Sequence, residues 1–270
     1  MRTGYAVAAV CAAGMFATSV HAGDTAGNIV GTLFGRTSAS VTYGPYLRFE
    51  AGPSATDLSD ANWLPPGGSD PRVFFDFADQ DSAFVGAAVG FDWMNGFRAD
   101  VGLVSAGEVD ATGPWSYAVP ADPGPHASIT DARVRTTALM GNVFYSPLEQ
   151  RGVNSRVQPY VVAGLGFARN EMSDWTRSNP ASSNPVRSFA GDSSIDLAWS
   201  LGAGVSVQVT RPGQHPVLLD LSLRYYDFGT AEGGTTPIGG AGSSVPREGL
   251  QVDRSDTVVT IGVRVPLKRY

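Results

Sequence analysis

Seven charged residues are spaced so that they could bind an ion, gate a narrow pore or neutralise one another inside a fold. They are Arg48, Glu50, Arg98, Asp100, Asp220, Arg224 and Arg264. Each alternates with apolar neighbours, which places the charge on one face of an extended segment. Because a buried charge is costly unless it is paired, we expect a network of ion pairs that holds strands together, with no cofactor and no metal ion.

A second group of residues could supply hydrolytic chemistry. His126 and Ser128 have a spacing that resembles that of lipid A deacylase barrels, and the resemblance would make Ser128 the nucleophile, His126 its general base and Asp131 the acid that orients the imidazole. The three lie in PADPGPHASITD, a stretch rich in proline and glycine that predicts a loop. Because so short a spacing has little specificity, the favoured interpretation is a loop without catalysis.

The composition excludes several classes of protein. Charged residues make up 16% of the 270 residues, below the roughly 25% of soluble domains. The mean hydropathy of −0.04 is nevertheless far from that of a helical membrane protein. A net charge of −6 argues against nucleic acid as a partner. The combination fits a membrane barrel built from strands, in which only alternate residues contact lipid.

The N-terminus predicts a secretory signal peptide. An Ala-rich apolar segment follows Arg2, and small residues precede the expected cleavage site after Ala22. Cys11 lies within this segment, so the mature protein would contain no cysteine for a disulfide or a thiol site. The expected organisation is a signal peptide at 1–22, a periplasmic tail at 23–44 and a barrel domain at 45–270.

Eight runs of alternating apolar residues predict β-strands. In the last run, Ile261 and Val263 share one face while Arg264 lies on the other. A strand at the end of a sheet needs a partner for its open edge. The first run has the same pattern, so we expect it to pair with the last and close a barrel with an apolar exterior. The runs are Tyr46–Ala51, two within Ser82–Ser105, Thr130–Tyr145, Pro159–Arg169, Asp196–Val209, Val217–Tyr226 and Asp256–Leu267.

The connections alternate in length, which favours a membrane barrel over a soluble sandwich. Long connections are expected at Pro53–Asp81, Ala106–Ile129, Asn170–Ile195 and Phe228–Arg254, with shorter ones between them. Outer-membrane barrels have long extracellular loops and short periplasmic turns. One strand departs from the simple pattern. Arg133 and Arg135 share the face of Leu139, which predicts a bulge or a mixed face.

Aromatic residues fall into two groups. Near the proposed periplasmic turns, a girdle at the level of the lipid headgroups is expected from Trp93, Phe97, Phe144, Tyr145 and Tyr160. The long connections contain Trp63, Phe74, Phe75, Phe77, Trp115, Tyr117 and Trp175. This second group could form an adhesive surface. The favoured interpretation is that it packs the connections onto one another or extends the upper girdle.

The order of these segments resembles the opacity-type family of small Gram-negative outer-membrane proteins, which is related in architecture to the OmpA and OmpX barrels. The segments that carry the resemblance are PYLRFEAG (45–52), FRADVGL (97–103), PYVVAGLGFARN (159–170), AWSLGAGVSV (198–207), LDLSLRYYDFG (219–229) and TVVTIGVRV (257–265). The resemblance implies an all-β, eight-stranded, antiparallel up-and-down transmembrane barrel without a cofactor. Members usually end in an aromatic residue on the outward face, whereas Tyr270 has the opposite parity to Leu267.

The resemblance also implies a function. We expect a non-enzymatic protein of the outer membrane, exported through the periplasm and inserted by the barrel-assembly machinery. Its partners would be outer-membrane lipid and lipopolysaccharide, with a host-surface ligand at the long loops. One alternative is an enzyme, because His126 and Ser128 have the spacing of the eight-stranded lipid A deacylases, although Ile129 stands where those enzymes usually have asparagine. The other is a secreted soluble carrier, which would turn its apolar faces inward.

Overall fold

The computed structural model describes residues 44–121, 126–153, 155–178, 185–210, 214–240 and 245–267. The proposed signal peptide, its cleavage site after Ala22 and the tail up to residue 43 lie outside these ranges, as does the terminal Tyr270. Across the described residues, no helix is long and apolar enough to cross a membrane.

Eight long antiparallel strands form a closed barrel. Strand numbers follow the chain through all fourteen strands of the described residues, so the numbers of the barrel strands are not consecutive. The barrel strands are β1 (Gly44–Leu64), β3 (Gln80–Asp92), β4 (Phe97–Asp110), β7 (Arg133–Tyr145), β8 (Val157–Met172), β11 (Asp192–Gln208), β12 (Leu218–Glu232) and β14 (Glu248–Pro266). Each pairs with its neighbours in the barrel, and β14 pairs with β1, where Phe49 lies opposite Val263. The predicted closure of the last strand onto the first is confirmed.

The side chains point as the alternation predicts. Phe49 and Ile261 are 56% and 57% exposed on the outer surface, whereas Arg48 and Arg264 are 2% and 3% exposed inside the barrel. Exposed apolar side chains recur on all eight strands and form a band around the outside. A soluble carrier would have the opposite arrangement, so that alternative is wrong.

The strands run further than predicted. The first was expected to end at Ala51 but continues to Leu64, so much of the expected loop Pro53–Asp81 belongs to the barrel wall. Beyond Gly52, Ser54 and Thr56 point inward and Ala55 and Asp57 outward. This part of the strand lies beyond the apolar band, so its outward side chains need not be apolar. The alternation of apolar and polar residues that predicts the strand therefore ends before the strand does. The long and short connections still alternate, and we call the end with the long ones extracellular.

Strand β7 has the predicted mixed face. Arg133 and Arg135 point outward on the same side as Leu139, because this face leaves the apolar band towards the extracellular end. The bulge lies in the neighbouring strand, where the register of β4 against β7 shifts between Ala106 and Val109.

Short strands extend the barrel at its extracellular end. β2 (Arg72–Phe75) and β5 (Trp115–Val119) form a ribbon on β1. A separate sheet joins β6 (Ser128–Ile129), β9 (Trp175–Ser178), β10 (Pro185–Phe189) and β13 (Pro237–Gly240). A short helix, α1 (Pro147–Gln150), lies in one of the turns at the other end.

These additions enclose an apolar core above the band. It contains Leu58, Ala61, Trp63, Val73, Phe75, Phe77, Val109, Ala111, Ala118, Ile129, Ala132, Val134, Met172, Trp175, Phe189, Ala231, Leu250 and Val252. We call it the extracellular core. Four of the seven aromatic residues of the long connections are buried in it, and Trp115 packs against it. Phe74 and Tyr117 stack on the surface with their ring centroids 4.4 Å apart. The prediction that the connections pack onto one another is therefore confirmed.

Candidate functional site: the charged lumen

All seven charged residues singled out in the sequence lie inside the barrel, together with three more. The further members are Asp92, Arg254 and Asp256, and each of the ten side chains is less than 8% exposed. The ten comprise five arginines and five carboxylates, so the charges of these ten residues sum to zero. Sequence reasoning missed Arg254 because it placed that residue in a loop.

The first cluster of ion pairs is centred on Arg48. Its guanidinium lies 2.5 Å from Glu50 Oε2 and 2.9 Å from Asp100 Oδ2. Arg224 reaches the same Glu50 oxygen at 3.5 Å. Asp100 also accepts hydrogen bonds from Tyr46 Oη at 3.1 Å and from Asn142 Nδ2 at 2.8 Å. The cluster therefore links β1, β4, β7 and β12 across the lumen.

The second cluster is centred on Arg264. This arginine lies 3.1 Å from Asp92 Oδ2 and 3.4 Å from Asp220 Oδ2. Ser206 accepts a hydrogen bond from Arg264 Nη2 at 3.2 Å and donates its own hydroxyl to Asp220. The cluster fills the lumen near the end with the short turns.

Arg98 is held differently, since it takes part in no ion pair among the described residues. Its guanidinium carbon lies 4.3 Å from the ring centroid of Phe144 and 4.4 Å from that of Tyr160. The cation therefore rests against two adjoining aromatic rings, and its Nη1 donates a hydrogen bond to Ser206 Oγ at 3.4 Å. Phe144 and Tyr160 were predicted to belong to the outer girdle, and that prediction is wrong. Their neighbours in sequence point outward, so strict alternation turns both rings inward.

Arg254 and Asp256 form the third cluster, at the border of the extracellular core. Their ion pair measures 3.0 Å, and Asp256 also accepts the hydroxyl of Ser54 at 2.7 Å. Arg254 donates to the carbonyl of Gly107 at 2.9 Å, within the bulge of β4. The arginine thus satisfies a carbonyl at a point where the β4–β7 ladder is interrupted.

Inward-facing glycines make room for these long side chains. A Cβ atom at Gly204 would lie 2.5 Å from the Tyr160 ring, and one at Gly202 would lie 2.6 Å from Arg224 Cγ. The glycines that alternate with apolar residues in β11 are therefore part of the luminal packing.

The three residues considered for hydrolysis lie at the extracellular end. Ser128 is in β6, where it pairs with Ser178 of β9. Asp131 accepts a hydrogen bond from Thr176 Oγ1 at 2.9 Å, and the His126 ring packs edge-on against Trp115 with a centroid distance of 5.1 Å. Ser128 therefore lies in an extracellular sheet and His126 and Asp131 lie in the segments beside it, all above the apolar band that would contact the acyl chains of a lipid.

One extracellular arginine has a perturbed environment. Arg177 lies over Trp63, with 4.0 Å between its guanidinium carbon and the ring centroid. It stands directly opposite Arg187 in the pairing of β9 with β10. Burial, reinforced by the charge of Arg187, lowers the pKa of Arg177 to about 10.

The lumen is thus filled at several levels rather than shaped as a binding cavity. Two ionic clusters, Arg98 with its two rings, and a second apolar cluster that includes Phe84, Met140 and Val258 occupy the part inside the apolar band, and the extracellular core fills the part above it. In the described part of the chain, no group of three or more His, Cys, Asp or Glu side chains is arranged to hold a metal ion.

No family model and no curated protein matches the chain. Solved structures do match its fold. Neisserial surface protein A has 16% identity and a TM-score of 0.44, with 83% of this chain and 97% of that one covered. OprG, an outer membrane protein of Pseudomonas aeruginosa, has 17% identity, a TM-score of 0.44 and the same coverage. The outer membrane protease OmpT of Escherichia coli has 10% identity, a TM-score of 0.45 and coverage of 85% and 99%.

These similarities concern the fold alone, and the matched proteins include both an enzyme and surface proteins. The assignment of the fold rests on the closure of the strands into a barrel with an apolar exterior and a charged interior. The chain is a closed eight-stranded antiparallel β-barrel of the outer-membrane type, as its sequence predicts.

Proposed function

We propose that the protein is a non-enzymatic structural barrel of the Gram-negative outer membrane, which is exported through the periplasm and presents a rigid surface outside the cell. The outer band supports the location, because side chains such as Val89, Leu165 and Ile261 are each more than half exposed. A band of this kind is stable only against lipid.

The observation that carries the proposal is the filled lumen. Ten charged side chains neutralise one another inside the barrel, and an apolar core closes its extracellular end. A barrel of eight strands is wide enough for side chains but not for an aqueous channel. This arrangement favours a structural role over a pore.

The extracellular surface would serve as the contact site for ligands. The long connections fold into β2, β5 and the four-stranded sheet. Tyr117, which is 52% exposed, and the half-buried Phe74 stacked on it form a small apolar patch on this surface. A ligand would therefore meet preformed β-structure, and binding would require little ordering of loops.

Fractionation and electrophysiology test the proposal together. The protein should appear in outer-membrane fractions and migrate differently on gels before and after boiling, as a folded barrel does. In planar bilayers it should show no stable conductance. Recovery in the soluble periplasmic fraction, or steady channels from the wild-type protein, would contradict it.

The enzymatic alternative has its own test. Lipid A extracted from cells that express the wild type should have the same acyl chains as lipid A from cells that express Ser128→Ala. A loss of acyl chains that depends on Ser128 would show a hydrolase and refute the non-enzymatic proposal.

A further inference from the structure

The charge of the outer surface changes around the barrel, just above the apolar band. The first charged outward residues on five strands are acidic. They are Asp57 on β1, Asp81 on β3, Glu108 on β4, Asp227 on β12 and Asp253 on β14. On β7 and β8 the outward charges nearest the band are instead arginines, namely Arg133, Arg135 and Arg169. We call these three residues the arginine patch.

The strand register brings two of these arginines together at the edge of the band. Arg169 lies opposite Thr137, and Arg135 lies opposite Glu171. Arg135 and Arg169 are therefore diagonal neighbours on one surface, within the roughly 7–8 Å at which such long side chains can share a ligand. The next outward pair of facing residues, towards the middle of the membrane, is Leu139 and Phe167, and both side chains are more than half exposed.

The nearby carboxylates form only exposed ion pairs with the arginines, so the guanidinium groups can still bind a ligand. Arg169 pairs with Glu171 at 3.1 Å, but the two side chains are 59% and 48% exposed. Arg133 pairs with Glu108 at 2.9 Å in a similarly exposed position. Exposed pairs of this kind contribute little and exchange readily with other partners. Arg135 takes part in none of the ion pairs of the described residues, although Glu171 lies opposite it in the neighbouring strand, so its guanidinium can turn to a ligand at the membrane edge.

We propose that the arginine patch binds a phosphate group of lipopolysaccharide. The ligand must be amphiphilic, because the patch borders directly on side chains that face acyl chains. Guanidinium groups bind phosphate through two parallel hydrogen bonds, and the Thr137 hydroxyl adds a third donor at the same level. One acyl chain would lie along Leu139 and Phe167. On the acidic strands, by contrast, the same phosphates need a divalent cation as a bridge.

This inference rests on the proposed outer-membrane location, since lipopolysaccharide occupies the leaflet at the extracellular end. The shared chemistry is a phosphate ester, which phospholipids and free phosphate also offer. The proposal commits to the phosphorylated glycolipid, because its phosphates sit on sugars directly above several acyl chains. That arrangement matches arginines placed one rung above apolar side chains.

Native mass spectrometry of the detergent-solubilised barrel provides the test. The protein would be titrated with bis-phosphorylated lipid A, with enzymatically dephosphorylated lipid A, with phosphatidylglycerol and with inorganic phosphate, in a chelator that removes divalent cations. The variants are the double change Arg135→Gln and Arg169→Gln, the single change Glu171→Gln, and the control Asp57→Asn on another part of the rim. Boiling-dependent gel migration of each variant verifies that the barrel is folded before binding is measured.

We expect the wild type to bind bis-phosphorylated lipid A at least about tenfold more tightly than the dephosphorylated form, a difference that exposed arginine–phosphate pairs can supply. The double variant should lose that preference, Glu171→Gln should strengthen binding, and Asp57→Asn should leave it unchanged.

Equal binding of the two lipid A forms by a folded wild type would overturn the proposal. Equal binding of phosphatidylglycerol would also overturn it, because the glycolipid would then have no advantage. A wild-type protein that does not migrate as a folded barrel would instead refute the proposed membrane function, so the two failures are distinguishable.

Discussion

Replacing Glu50 with glutamine tests whether the luminal charges act as a structural network. Glu50 is the carboxylate that Arg48 and Arg224 share, at 2.5 and 3.5 Å. Its side chain is only 4% exposed, and those of the two arginines are 3% and 1% exposed. Glutamine preserves the shape and removes the charge, so the lumen would change from five positive and five negative groups to a net charge of +1.

The expected loss follows from the burial of the pair. Removing one partner from a buried ion pair typically costs about 3–5 kcal/mol, because the other charge is left without compensation. Glu171→Gln is a matched control with the same chemical change. Glu171 pairs with Arg169 at 3.1 Å on the outer surface, where its side chain is 48% exposed. An exposed pair contributes only about 0–1 kcal/mol.

Urea unfolding in lipid vesicles, followed by tryptophan fluorescence, would measure both variants. The double change Glu50→Gln and Arg224→Met restores a neutral lumen and should recover part of the loss, which shows the coupling directly. If Glu50→Gln were no more destabilising than Glu171→Gln and the bilayer conductance rose, the lumen would be hydrated. The structural interpretation of the network would then be wrong.

Three further outcomes are expected. Arg98→Ala should lower stability by about 2 kcal/mol through the lost contacts with two aromatic rings, without creating a stable conductance in bilayers. Trp175→Ala removes a fully buried indole that donates to the Gly234 carbonyl at 2.9 Å. It should cost about 3–5 kcal/mol and expose the extracellular end to added protease, while a protease-resistant membrane band persists. Arg177→Met should leave stability unchanged or raise it, because the surroundings of Arg177 lower its pKa to about 10 and so disfavour its charge. A fall of more than about 1 kcal/mol in urea unfolding would show that the stack on Trp63 outweighs that effect.

Alternation predicted which face each side chain takes, and the one error came from overriding it. Val161 is 46% exposed on the outer surface, so its neighbour Tyr160 has to point inward. Proximity to a turn nevertheless suggested an outer girdle for Tyr160 and Phe144. Trp93 and Phe97, which are 46% and 41% exposed, do lie on the outer surface. The odd or even position of a residue in its strand therefore predicts the face of its side chain better than its distance from a turn does, since a strand cannot change faces without a bulge.

The lengths of the strands and the extracellular core could not be predicted in the same way. The membrane imposes an apolar exterior only over its own thickness, so the pattern used to recognise strands stops where lipid stops. Arg254 fell beyond that limit and was placed in a loop, although its ion pair with Asp256 and its hydrogen bond to Gly107 are luminal. The short pairings of β10 with β13 and of β6 with β9 join segments that are distant in sequence, and no local pattern specifies them.

A single strand shows why this barrel has two kinds of interior. In β1, Phe49 faces outward and Glu50 inward, whereas further along Asp57 faces outward and Leu58 inward. The strand alternates from Phe49 to Leu58, and a bulge between Ser59 and Asn62 then shifts the parity, so that Trp63 also faces inward. Over the same length the outer solvent changes from lipid to water. Where the exterior must be apolar, the inward positions hold the ionic clusters, in which arginines match carboxylates, together with an apolar cluster that includes Phe84, Met140 and Val258. Where the exterior meets water, the lumen can fill with Trp63 and Leu58 as in a soluble protein. The apolar band outside and the extracellular core inside are therefore consequences of one rule, the removal of apolar side chains from water, applied on either side of the membrane boundary.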